Sequence, residues 1–400
     1  MLELNFIKLL KDYMVKMSKG KEQKPVVLQI LPEMNQGGVE RGTIEIADAL
    51  TKAGIENFVA SQGGRLTYNL DKIKVKHFTL PLKSKNPVKM YLNSLKLAKI
   101  IKENNINIVH ARSRAPAWSA YWAAKKTGAK FLTTFHGTYG LGPKGLKKFY
   151  NRVMTYGDLV IAISNHIKKH MMENYNVPES KIRLIARGVD IDKFDPEKVT
   201  SERLINTIKE YNLPEDKQII LLIGRLTRWK GQHLLIEAAA KLKERNFHCV
   251  FIGDAQGRVR YPEELKKAIK DNNLSGCFTF IKHTNDVPTM MQIASIVLST
   301  STEPEAFGRI AIEGQAMGKI VIASNVGGSL ENIIDGKSGW LYKNNDAGSL
   351  AEALDLALHL PKQRREEIAK AAIKNVHDHF TTQIMCDKTI AVYNELINMK

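Results

Sequence analysis

The chain has 400 residues, more than one ordinary core accommodates, so two domains are expected. A 44% hydrophobic and 25% charged composition without long Pro/Gly/Ser tracts excludes a disordered chain, and three scattered cysteines (Cys249, Cys277, Cys386) exclude a disulfide framework and show no zinc spacing. The formal charge of +19 is uneven: residues 51–150 carry 19 Lys/Arg against 3 Asp/Glu, and the other three hundred residues contribute only +3.

The first residues, Met1 to Met17, place Lys8, Lys11 and Lys16 among apolar positions and lack a small-residue cleavage site. Residues 1–24 therefore read as an amphipathic, basic extension and not as a secretory signal. No uninterrupted apolar run reaches about 18 residues, so no membrane span is expected.

From residue 25 onward, short apolar runs alternate with longer amphipathic ones. Strands are predicted at Pro25–Leu31, Asn57–Ser61, Val75–Leu80, Ile106–His110, Lys130–Thr134 and Leu159–Ser164. Helices are predicted at Val39–Lys52, Val88–Glu103, Ala115–Thr127, Lys144–Tyr156 and Asn165–Tyr175. After a charged stretch at Asp190–Thr200 the rhythm restarts, with strands at Gln218–Ile223, His248–Ile252, Phe278–Lys282, Ile296–Ser299, Ile320–Ala323 and Trp340–Tyr342. The helices here are Gly231–Glu244, Pro262–Asn272, Val287–Ile293 and Arg309–Met317, and everything from Ala347 reads as helical. Continuous apolar strands alternating with helices mean parallel sheets covered on both faces. The expected architecture is two Rossmann-like α/β domains, 25–189 and 190–376, with 377–400 as a final helix. Ligands of such sheets lie beyond the carboxyl ends of the strands.

The chemistry concentrates in the second half. In EPEAFGRIAIEGQAMG, Glu305 follows a strand and precedes Phe307-Gly308, and Glu313 lies eight residues further on. With a helix starting near Gly308, both carboxylates are placed to accept hydrogen bonds from vicinal hydroxyls, and the amides at the helix start suit an anion. Two glutamates eight apart are more often simply solvated, so the neighbours decide. Arg225 ends another strand in Ile223-Gly224-Arg225, and Lys230-Gly231 opens the next helix. That pair suits a diphosphate. In the first half, Gly37-Gly38 between a strand and a helix lets backbone approach a ligand, without the GxGxxG dinucleotide pattern. His136-Gly137 closes a strand, where an imidazole can bond a sugar or a leaving diphosphate, or simply serve the loop. Gly327-Gly328 and Glu331 read mainly as turn and helix-cap chemistry. Asp254, Lys282 and His283 stand at strand ends that could border a base.

Strand, GR, KG, helix, then EPEAFGRIAIEGQAMGKIVIASNVGG resembles the retaining glycosyltransferases of family 4, which have the GT-B fold. The likeness runs from about Val26 to the end and is most specific over Ile223–Leu341. Arg187-Gly188-Val189-Asp190 followed by Phe194 resembles that family's interdomain signature, with Arg187 where asparagine is usual. The resemblance implies that Arg225 and Lys230 hold the diphosphate, Glu313 the ribose and Glu305 the donor sugar. It also implies that the backbone around Phe307, Gly308 and Arg309 lines the sugar, that Gly37 and Gly38 approach the phosphates, and that His136 touches a far hydroxyl. A UDP- or GDP-sugar donor, retention at the anomeric carbon and no essential metal or other cofactor follow from the same likeness. No carboxylate stands out as the nucleophile of a double displacement, which favours front-face attack.

In that fold the first domain receives the acceptor, and the basic segment 51–150 lies there. Lys83, Lys85, Arg112, Arg114, Lys144, Lys147 and Lys148 fall near predicted loops or helix starts. Together with Met1–Met17 they point to a cytoplasmic enzyme resting on the inner face of the membrane, with an anionic lipid-linked acceptor of lipopolysaccharide type. A lysine-rich proteome would also account for the charge, but the rest of the same chain is nearly neutral. Nucleic-acid binding is not expected, because no stacking aromatics interleave the basic residues. A sugar-nucleotide epimerase of the same fold is the nearest rival enzyme, a dinucleotide oxidoreductase lacks its fingerprint, and the joint presence of Glu305, Glu313, Arg225, Lys230 and His136 speaks against a catalytically silent binder.

Overall fold

The computed structural model describes residues 24–35, 37–140, 142 and 146–399. The amphipathic extension, apart from Lys24, and Lys144 lie outside the described residues.

The first sheet begins with β1 (Val27–Ile30), followed by α1 (Gly38–Lys52), β2 (Asn57–Ser61), α2 (Thr67–Lys72) and β3 (Lys76–Thr79). It continues through α3 (Pro87–Glu103), β4 (Ile108–Ala111), α4 (Arg114–Thr127), β5 (Lys130–Phe135) and α5 (Leu146–Asn151). It closes with β6 (Leu159–Ala162), α6 (Asn165–Tyr175) and β7 (Ile182–Leu184). The strand order is β3-β2-β1-β4-β5-β6-β7. Strands β1, β4 and β6 are buried along their whole length, as a sheet covered on both faces requires. Local chemistry sets the helix ends. Asn86 caps α3 by accepting from the amides of Val88 (3.0 Å) and Lys89 (3.2 Å), with Pro87 as the first helical residue.

Helix α7 (Ser201–Tyr211) leads into the second sheet: β8 (Gln218–Ile223), α8 (Gln232–Lys241), β9 (Phe247–Ile252), α9 (Arg260–Asp271) and β10 (Phe278–Ile281). Then come α10 (Val287–Ile293), β11 (Ile296–Ser299), α11 (Arg309–Ala316), β12 (Ile320–Ser324), α12 (Ser329–Asn332) and β13 (Trp340–Tyr342). The order is β10-β9-β8-β11-β12-β13, and each neighbouring pair is parallel. Its core holds Leu222, Leu235, Phe251, Leu298, Ile322 and Leu354, each essentially inaccessible to water. At roughly 1.5–3 kcal/mol per buried side chain, this apolar layer is what makes the strand ends rigid enough to position a site. Helices α13 (Ala347–Leu358), α14 (Lys362–His379) and α15 (Thr382–Asn398) end the chain.

Two compact units emerge. One takes the residues up to Thr134, Leu141–Ile161 and the chain from Asp387; the other takes Phe135–Gly140 and Ala162–Cys386. Within the first, the buried His110 ring bonds the Tyr393 hydroxyl of α15 (2.7 Å) and Thr134 (2.7 Å). Within the second, the segment preceding Asp190 is zipped to the start of α15. The Val189 amide donates to Phe380 (2.8 Å), and the Thr382 amide donates to Val189 (2.9 Å).

Several local expectations change. The helix foreseen over 144–156 is α5 followed by a 3-10 turn, Arg152–Thr155. Helix α8 starts one residue after Gly231 and stops at Lys241, because Leu242 is extended (φ −69°, ψ 131°). Elements α2, β7, α7 and α12 are additional to the predicted ones; α7 carries Leu204, Ile205 and Ile208 but fully buries only Thr207. Arg112 is not a surface cation: it is 2% exposed and donates to Gln29 Oε1 (3.0 Å). Lys83 is paired with Glu33 (2.9 Å), and Arg114 donates to Asn151 (3.2 Å). Among the described residues no helix is long and apolar enough to cross a membrane.

Candidate active site

Strands β8 and β11 lie side by side in register, Leu221 opposite Val297, and the sheet order reverses between them. This is the switch point at which open α/β sheets take ligands, and Arg225, Lys230 and Glu305 all follow these two strands. A 3-10 turn, Arg228–Lys230, is fastened to the end of β11. The Thr302 amide donates to the Trp229 carbonyl (2.8 Å), and the Thr300 hydroxyl donates to the Lys230 carbonyl (2.9 Å). Gly231 permits this approach, since a Cβ there would sit 1.9 Å from the Thr300 carbonyl oxygen.

The fastening brings Lys230 Nζ to 2.6 Å from Glu305 Oε1, with each side chain 16% exposed. The same carboxylate oxygen accepts a bond from the Ser301 hydroxyl. Lys230 also lies over the Trp229 indole, 4.4 Å from the ring centroid, and the Arg225 guanidinium lies 5.9 Å from the same centroid. Arg225 is exposed, and its carbonyl is held by Gln232 (3.0 Å). A cation and a carboxylate this shielded attract strongly, yet the ammonium keeps further donors for an incoming anion.

The loop from Glu305 to Gly308 is gripped from behind. The Gly328 amide donates to the Glu305 carbonyl (2.8 Å), the Ser164 hydroxyl to the Ala306 carbonyl (2.6 Å), and the Asn332 amide group to the Phe307 carbonyl. With the carbonyls engaged, the amides of Phe307, Gly308 and Arg309 donate to no protein group among the described residues. They stand at the start of α11, where unsatisfied amides and the helix dipole favour negative charge. Glu313, a turn inside α11, is buried and paired with Arg309 (2.9 Å). The glutamates are thus each engaged by their own cation, Glu305 by Lys230 and Glu313 by Arg309.

Of the other expected residues, His136 follows β5 half-buried, beside a stack in which Phe135 meets Tyr139 at 4.8 Å and Tyr175 at 5.8 Å. Gly37 and Gly38 stand in the first unit, at the start of α1. Asp254 and Lys282 face each other at 3.6 Å. Glu331 is a cap, but of α6: its oxygens accept from the amides of Asn165 (2.7 Å) and His166 (2.8 Å). Ser301, Ser164 and Asn332 escaped the sequence reading, because one hydroxyl or amide carries no spacing signal. No group of three or more His, Cys, Asp or Glu is placed to hold a metal among the described residues.

Known proteins resemble this chain in sequence and in fold. The family described as "Glycosyltransferase Family 4" matches residues 36–193, and "Glycosyl transferases group 1" matches residues 205–375. A glycosyltransferase from Rickettsia africae is 41% identical, with a TM-score of 0.88 over 94% of this chain and 100% of its own. The Anabaena protein HepE, solved with UDP and glucose, is 21% identical with a TM-score of 0.79 over 92% and 99% of the two chains. The D-inositol 3-phosphate glycosyltransferase of Corynebacterium urealyticum is 28% identical over 229 residues, 56% of this chain. The match spans about half of that curated relative, 53% of its length. By sequence and by fold, the chain belongs to the family 4 glycosyltransferases of GT-B architecture.

Proposed function

We propose that the chain transfers a sugar from a UDP- or GDP-sugar to an anionic, membrane-associated glycolipid of lipopolysaccharide type, with retention at the anomeric carbon. The observation that carries the donor half is the shielded Lys230–Glu305 pair at the switch point, 2.6 Å apart, beside the unengaged amides at the start of α11. On donor binding, Lys230 and Arg225 take the diphosphate and stabilise the charge that grows on it as the glycosidic bond to phosphate breaks. These two cations fill the role a divalent ion plays elsewhere, so no metal is required. Glu305, relieved of part of its ion pair, accepts from a hydroxyl of the donor sugar, and the Phe307–Arg309 amides line that sugar. Glu313 accepts from the ribose hydroxyls, with Arg309 holding its carboxylate in place. Gly37 and Gly38 approach the phosphates, and His136 bonds a far sugar hydroxyl. The Anabaena structure with UDP and glucose supports a nucleotide sugar as donor by likeness of fold.

The acceptor half rests on charge. Lys147 and Lys148 are exposed on α5, and the 51–150 segment remains strongly basic even with Arg112 buried. Each cation near an anionic bilayer contributes roughly 1 kcal/mol, so a few suffice for reversible docking on the inner face of the cytoplasmic membrane.

Thermal unfolding against UDP-, GDP- and ADP-sugars tests the donor half. One nucleotide sugar should raise the melting temperature by mass action, and Glu313→Ala should lose that rise. A full rise in the variant removes the ribose role. NMR of the product then reads the anomeric configuration, and inversion would overturn the retaining mechanism. Equal binding to anionic and neutral vesicles at moderate salt would overturn the membrane reading.

A further inference from the structure

Beside the Arg225 loop, and outside every role assigned above except that of Arg225 itself, the second unit opens a cavity of ≈ 610 Å³. Four guanidinium groups line it: Arg225, Arg228, Arg258 and Arg260. One carboxylate, Glu264, is the only acid in the lining. That carboxylate is already shared, accepting from Arg228 on one oxygen and from Arg260 Nε at 2.9 Å on the other. Arg258 forms no ion pair among the described residues. Tyr261 and Trp229 wall the space, with the Arg228 guanidinium 5.5 Å from the Tyr261 centroid and that of Arg225 5.9 Å from the Trp229 centroid. Four like charges facing one carboxylate repel one another, and an anion in the space relieves that repulsion.

We propose that this cavity is a second anion site, which takes a phosphomonoester carried by the acceptor. Guanidinium forks match phosphate oxygens two at a time, and Arg258 and Arg260, to which the proposed transfer assigns no role, supply the grip. The reading deepens the proposed transfer, because it puts acceptor recognition on the donor-binding unit as well as on the basic first unit. It is separable from that transfer, since phosphate binding is measured without any nucleotide sugar.

The test is titration calorimetry of the full chain with inorganic phosphate, with glucose 6-phosphate and with vesicles containing phosphatidic acid. Each is repeated with the Arg258→Gln/Arg260→Gln double variant. At least one probe should bind the wild type, and the variant should bind it about tenfold or more weakly, the loss expected for a charged hydrogen bond. Dependence seen with glucose 6-phosphate marks a soluble acceptor, and dependence seen with the vesicles a lipid-borne one; either supports the site. Thermal stabilisation by the nucleotide sugar should be unchanged in the variant. Unweakened phosphate binding, or no binding to the wild type, overturns the proposal. So does an equal loss of nucleotide-sugar stabilisation, which would make the cavity part of the donor site. Arginine-dependent phosphate binding in a protein that no nucleotide sugar stabilises would keep the cavity and remove the donor reading.

Discussion

Gly37-Gly38 and Gly327-Gly328 are the same dipeptide in the same kind of place, between a strand and a helix, one pair in each unit. Their physical reasons differ. Gly37 has φ 145° and ψ 176°, a backbone conformation that side chains oppose, while the Cβ it lacks would meet only the movable end of Glu40, at 2.6 Å. Gly328 has an ordinary helical φ of −65°, yet a Cβ there would sit 2.5 Å from the Phe307 Cα and 2.6 Å from its carbonyl oxygen. Gly327 meets the Glu305 carbonyl oxygen at 2.5 Å and also has a left-handed φ of 62°, so the clean contrast is between Gly37 and Gly328. Gly37 is glycine for what its backbone must do. Gly328 is glycine for what must lie against it, namely the loop that carries Glu305.

The largest effect follows from the second pair. Backbone cannot step aside as a side chain can, so Gly328→Ala should cost about 3 kcal/mol, at the upper end of overpacking costs. It should also abolish stabilisation by the nucleotide sugar, because the Phe307 and Gly308 amides shift with the loop. Chemical denaturation reads the first and thermal unfolding with donor reads the second. A variant of unchanged stability would mean that the loop tolerates displacement, and the contrast between the pairs would fail.

Gly37→Ala should cost less, about 1–2 kcal/mol of backbone strain. The sharper measurement adds Glu40→Ala. If φ is the cause, the double variant keeps the full cost of Gly37→Ala. If removing Glu40 restores stability, Gly37 is steric after all and it is like Gly328.

Both sheets were legible in the sequence because parallel strands buried on two faces read as unbroken apolar runs, such as Gln218–Ile223. Arg225, Lys230 and Glu305 could be placed near one another from the sequence because the ends of neighbouring strands converge at the switch point of one sheet. What stayed hidden depends on direction and not on position. A basic residue at a strand end points inward or outward by one step of the pleat, so Arg112 read as surface charge although it is buried against Gln29. The Ser164 hydroxyl reaches Ala306 across 142 positions, a pairing no spacing announces. The two glycine pairs look identical as letters, since neither φ nor a missing Cβ contact is written in a dipeptide.

The smallest effect concerns Glu331, three residues beyond Gly328. Its carboxylate accepts from Asn165 and His166 at the start of α6, and charge at a helix N-terminus is worth up to about 1 kcal/mol. Glu331→Gln keeps one acceptor oxygen and loses the charge, so its stability loss should stay below about 1 kcal/mol. The His166 imidazole reports the change more sensitively. Burial lowers its pKa from the usual histidine value, and the Glu331 carboxylate works against that shift. Removing the charge should lower the His166 pKa further, which NMR titration reads directly. The sign for stability follows from a folded-state pKa below the unfolded one: the neutral ring is favoured, stability is complete above about pH 6.5, and it falls as the unfolded chain takes up protons below that. The variant should therefore lose stability more steeply on the acid side, while the glycine pair beside it keeps Glu305 in place and nucleotide-sugar stabilisation at neutral pH is retained. An upward shift of His166 would show that Glu331 does not act on α6 through its charge.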